Sequence, residues 1–83
     1  MPAIATTPDQ LARALRDRRL ELGWSQRTLA DATGLGQKTV SELETTPERR
    51  SVTTLFRALA VLGLELEVRL RPGPPSEDDP HAW

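Results

Sequence analysis

Gln37, Lys38, Thr39 and Ser41 carry, within five residues, the hydrogen-bonding groups from which a DNA base edge is read. A glutamine amide has the donor and acceptor needed to grip adenine N6 and N7 together, and a lysine ammonium reaches guanine O6 and N7 or a phosphate. Thr39 offers a hydroxyl to a phosphate and a methyl to thymine. Ser41 returns to the face of Gln37 if the segment is helical. Gln26 with Arg27, and Arg49 with Arg50, have the chemistry of phosphate contacts, which position a protein on DNA without reading sequence. The competing reading of each is a solvated surface side chain. Enzymatic chemistry has little to work with. His81 is the one histidine, there is no cysteine, and no Ser-His-Asp set, metal cluster or phosphate-gripping glycine loop can be assembled. The expectation is a DNA-binding protein that is not an enzyme and needs no cofactor or metal.

Those side chains require helices to aim them. Thr7 caps a first helix over residues 8–22, with Leu11, Leu15 and Leu22 on its inner stripe and Arg18 near it; Gly23 stops it. Ser25 caps a helix over 26–33, with Leu29 and Ala30 inward, and Gly34 ends it. A second short helix follows over 37–45, with Val40 and Leu43 inward. Two short helices joined by a tight glycine turn make a helix-turn-helix, whose second helix enters the major groove. Trp24 is expected to pack at the core edge beside the cap. Residues 46–50 read as a loop. Ser51 caps a last helix over 52–62 with Leu55, Phe56, Leu59 and Leu62 as its apolar face, and Gly63 stops it.

From Leu64 the period changes from 3.6 to 2. In Leu64-Glu65-Leu66-Glu67-Val68-Arg69-Leu70-Arg71 every even residue is apolar and every odd one charged, the pattern of a half-buried strand. The chain offers it no second strand, so its partner must be another molecule. An antiparallel self-pairing centred on Val68 sets Glu65 against Arg71 and Glu67 against Arg69, with Leu66 facing Leu70. Centring on Leu66 opposes Glu65 to Glu67, and centring on Glu67 opposes it to its own copy. Opposite-charge cross-strand pairs contribute about 0.2–1 kcal/mol each and like pairs cost as much, which selects Val68. A two-fold homodimer is therefore predicted. The domain organisation reads as a helix-turn-helix domain over 1–63, a dimerisation strand over 64–71, and an acidic, Pro-rich tail over 72–83 whose composition is that of disorder.

Composition agrees without deciding. Eighty-three residues make one small domain, for which a shared dimer core is reasonable. The net charge of −1 divides unevenly. Residues 1–71 hold all eleven Lys and Arg and nine of the twelve acids, a balance of +2, and the tail holds the remaining three acids, −3. No signal peptide or membrane-spanning run is visible, and the absence of cysteine suits the cytoplasm.

The segments Ser25-Gln26-Arg27-Thr28-Leu29-Ala30, Gly34-Leu35-Gly36-Gln37 and Val40-Ser41-Glu42-Leu43-Glu44 resemble the Cro/C1-type (XRE) helix-turn-helix family, in which a glutamine opens each helix of the motif, as Gln26 and Gln37 do. Members often pair an arginine late in the first helix with a glutamate ending the recognition helix, which implies an ion pair between Arg19 and Glu44. Glu44-x-x-Pro47, Ser51-x-Thr53-Thr54, Phe56, Leu59, Leu62, the alternating strand and the terminal Trp83 resemble, more narrowly, HipB-type antitoxins. Arg18 departs from the pattern, standing where an apolar residue is usual. The resemblance implies a mainly α, four- to five-helix, lambda-repressor-like domain with one C-terminal β-strand pairing across a dimer. It implies an antitoxin and autorepressor that binds a palindromic operator on double-stranded DNA and a HipA-like Ser/Thr kinase toxin, with Trp83 as a toxin anchor; twelve residues, fully extended, could carry Trp83 roughly 40 Å from the strand. The alternatives are a stand-alone repressor of the same family with no toxin partner, and a protein-interaction module that has lost DNA binding.

Overall fold

The computed structural model describes residues 4–75. Four α-helices and one 3₁₀ turn follow in order: α1 (Pro8–Glu21), α2 (Gln26–Thr33), α3 (Gln37–Leu43), the turn Pro47–Arg49, and α4 (Val52–Leu62). The caps explain the boundaries. Thr7, Ser25 and Ser51 each accept a backbone N–H three residues on, from Gln10, Thr28 and Thr54. Gly34 and Gly63 end α2 and α4 in the left-handed region, at φ of 73° and 70°, where a side chain would be strained.

α3 stops at Leu43, two residues before the predicted end. The N–H groups of Thr45 and Thr46 both turn back to the Glu42 carbonyl, and Thr46 leaves the helical region, at φ −135° and ψ 66°, ahead of Pro47, which disfavours a helical residue before it. α3 also differs from the other helices at its start: Gly36 caps it with no side-chain hydrogen bond.

The core joins Leu15 of α1, Leu29 and Ala30 of α2, Val40 and Leu43 of α3, and Ala58, Leu59 and Leu62 of α4. Leu11, Leu22, Trp24, Leu35, Leu55 and Leu64 pack around it. Phe56 corrects the predicted inner face of α4. It is 47% exposed, and Ala58 is buried in its place. With 100° per residue, Leu55, Ala58, Leu59 and Leu62 share one stripe and Phe56 falls beside it.

Residues 64–71 form no ladder, and no strand is present among the described residues. Strand pairing needs the N–H and C=O groups of a neighbour, and the described residues supply none. Leu64 still packs on the core, but beyond it Val68 is 92% and Leu70 95% exposed, with Leu66 at 50%. No helix among the described residues is long and apolar enough to cross a membrane.

Candidate nucleic-acid interface

α3 is seven residues long, too short to stand alone in water. Its inner side is fixed by Val40 and Leu43, at 0% and 1% exposure. That seating leaves Gln37 and Lys38 exposed on its first turn, with Thr39 and Ser41 half-buried. The turn Gly34-Leu35-Gly36 sets α3 against α2, helped by Thr33. Its hydroxyl donates to the Leu29 and Ala30 carbonyls, at 2.8 and 3.0 Å, and accepts from the Leu35 N–H.

The far end of α3 is tied to α1 by a buried ion pair. Arg19 Nε donates to Glu44 Oε2 at 2.7 Å, and Arg19 Nη2 to Glu44 Oε1 at 2.9 Å. The two side chains are 9% and 2% exposed. Arg19 Nη1 donates to the Trp24 carbonyl at 2.8 Å, so one guanidinium grips α1, the α1–α2 loop and the end of α3 together. Its hydrogen bond to Glu44, reinforced by their Coulomb attraction, outweighs burial and raises the Arg19 pKa, so it stays charged. No buried side-chain polar atom among the described residues lacks a partner.

The outer residues divide. Gln26, half-buried at the start of α2, donates from Nε2 to Glu44 Oε1 at 3.3 Å. Its second amide hydrogen has no partner among the described residues. Arg27 and Arg49 are exposed. Arg50 is not a free loop cation: its Nε donates to Glu42 Oε2 at 2.9 Å, closing the loop onto α3. Trp83 lies outside the described residues. The residues expected to pair across a dimer, Glu65, Leu66, Glu67, Val68, Arg69, Leu70 and Arg71, are all exposed.

One structural role escaped sequence reasoning. Arg18, on the inner side of α1, donates from Nε to the Leu62 carbonyl of α4 at 2.9 Å and from Nη1 to Glu21 at 3.0 Å. The signal was its place near the apolar stripe, which needed a distant acceptor to make sense. Among the described residues no group of His, Cys, Asp and Glu could hold a metal ion.

An outward-facing second helix, seated by its core side and locked at its far end, is the architecture of a helix-turn-helix protein. The helix-turn-helix family model matches residues 15–68. Antitoxin HipB of Escherichia coli O6:H1 is 40% identical over 60 residues, 72% of this chain and 64% of that protein, so the chain spans just under two thirds of its length. Antitoxin HipB of Escherichia coli K12 is 38% identical over 60 residues, 72% of this chain and 68% of that protein. A HipB variant solved in a complex with an O2 20-mer superposes with a TM-score of 0.74 at 35% identity, covering 83% of this chain and 94% of that one. A HipA-HipB-O2-O3 complex matches with a TM-score of 0.73 at 35% identity, covering 83% and 96%. The chain belongs to the helix-turn-helix family and, within it, to the HipB-type antitoxins.

Proposed function

We propose that the chain is the antitoxin and autorepressor of a toxin–antitoxin module. It acts as a homodimer that binds a palindromic operator on double-stranded DNA and holds a HipA-like Ser/Thr kinase toxin. The observation that carries the reading is the exposed first turn of α3, with Gln37 and Lys38 outward and its other end locked by Arg19 and Glu44. Gln37 and Lys38 meet base edges, with Thr39 and Ser41 as neighbouring contacts to base or phosphate. Gln26, Arg27 and Arg49 hold the backbone, and Arg50 joins them while bonded to Glu42. HipB relatives solved in a complex with an O2 20-mer, and with HipA, support both partners. A protein that works on its own operator works in the cytoplasm.

The dimer forms by antiparallel pairing of residues 64–71, centred on Val68. The row Leu66, Val68 and Leu70, exposed in the single chain, then gains a partner, and Glu65–Arg71 and Glu67–Arg69 become cross-strand pairs. Two recognition helices then stand about 34 Å apart, one turn of DNA. Residues 1–63 read DNA, 64–71 dimerise, and 72–83 reach the toxin, with Trp83 as an aromatic anchor.

The test is a paired capture from the native host, with the full chain and a chain ending at Arg71, alongside titration of a duplex from upstream of its own reading frame. Salt-sensitive binding of that duplex, with a kinase-sized partner held by the full chain and lost or weakened by truncation, is the expected result. Equal capture by both chains removes the tail as the anchor. DNA binding with no partner at all returns the protein to a stand-alone repressor.

A further inference from the structure

We infer that Arg13 and Arg16 of α1 form a second phosphate-gripping edge, which holds the DNA backbone beside the groove entered by α3; the inference rests on the DNA-binding reading above. The two arginines stand three residues apart on one face of α1. With Asp9 and Ala12 of the same helix they line an open cleft, whose other wall is Glu44 and Thr45, the residues directly after α3.

Three features suit this cleft to a phosphate. The first is availability. Arg13 and Arg16 are exposed and enter none of the ion pairs among the described residues, whereas Arg18, Arg19 and Arg50 are each engaged within the chain. The second is charge. Glu44 is neutralised by Arg19, which leaves Asp9 alone against two guanidiniums, and a guanidinium fork matches phosphate oxygens. The third is place. Glu44, which with Thr45 directly follows α3, also accepts from Gln26, the first residue of α2. The cleft therefore lies between α1 and the far end of α3. Lying on α1, outside the recognition helix, its arginines add affinity and register and leave base choice to α3.

The full chain with Arg13→Gln and Arg16→Gln tests this on two duplexes, one selected by the wild-type protein from a random pool and one scrambled. Affinity is followed from low to high salt. The variant is expected to lose affinity for both duplexes together, with its selectivity ratio kept. The log–log salt slope should fall by about 0.9 for each phosphate contact removed. The Arg13→Lys, Arg16→Lys variant, which keeps the charge, should keep most of the slope. Wild-type affinity and slope in the glutamine variant overturn the inference, as does altered selectivity with an unaltered slope. Wild-type protein that selects no duplex and binds none in a salt-dependent way overturns the DNA-binding reading itself, a failure recognised before any variant is made. An unchanged thermal melt of the glutamine variant separates lost contacts from lost folding.

Discussion

Arg18 Nε donates to the carbonyl of Leu62 at 2.9 Å, joining α1 to the last turn of α4 across 44 positions of sequence. Carbonyls at a helix C-terminus have no partner inside the helix, and here a cation on a neighbouring helix supplies one. Arg18→Ala should therefore destabilise the fold. A hydrogen bond to a charged group is worth about 1.5–3 kcal/mol; the Arg18 side chain is 31% exposed, so about 1 kcal/mol is the expected loss after solvent screening. Urea denaturation should show a lower midpoint with an unchanged slope, and an unmoved midpoint would count against the link.

The Arg19–Glu44 pair should behave as a buried unit. Glu44→Ala leaves a buried guanidinium unpaired, at a cost of about 3–5 kcal/mol. Replacing both partners by apolar residues of similar size, Arg19→Met with Glu44→Leu, should recover much of that loss. Because the Arg19 pKa is raised on folding, its contribution is complete below the unfolded-state value and is lost only as pH climbs through the still higher folded-state value. Alkaline titration in the ordinary working range should thus leave this guanidinium charged. Thermal melts of Arg19→Met, Glu44→Leu and the double variant decide the coupling.

Base readout and backbone contact should separate in binding assays. Gln37→Ala is expected to cost about 1–3 kcal/mol against the best duplex and to relax selectivity at one base position. Arg27→Gln or Arg49→Gln should weaken all duplexes alike and lower the salt slope by about 1. Equal losses on every sequence from Gln37→Ala would remove it from base reading.

The register of the proposed dimer has its own test. Glu67→Arg alone opposes Arg69 to a like charge and should weaken association; adding Arg69→Glu should restore much of it. Sedimentation equilibrium of the three proteins gives the answer, and failure of the rescue would remove the register centred on Val68.

How much of this was legible beforehand depended on whether the cause was local. The starts of α1, α2 and α4 followed from Thr7, Ser25 and Ser51, and two stops from Gly34 and Gly63, because a cap is a short-range event. The end of α3 was misjudged because two tight turns to Glu42 outweighed a pattern that ran on to Thr45. Phe56 was placed inward with Leu55, Leu59 and Leu62 as an apolar face, whereas helix geometry puts small Ala58 on the inner stripe. Arg50 was read as free for phosphate because its bond to Glu42 spans eight residues and a loop. The degree of burial of Arg19 and Glu44, 25 residues apart, had to await the packing of three elements around them.

The missing side-chain cap at Gly36 has a consequence for local unfolding. α3 is held from its inner side and far end, by Val40, Leu43 and Glu44, while its opening turn has no side-chain cap and is held only indirectly, through Leu35 and its bond to Thr33. Amide hydrogen exchange should therefore run along a gradient within seven residues. The first turn, around Gln37 and Lys38, opens by small fluctuations, and the Leu43 end opens only with the whole domain. The residues that present chemistry to a ligand are thus the most easily rearranged in the helix, and an occupied groove should slow their exchange more than that of their neighbours.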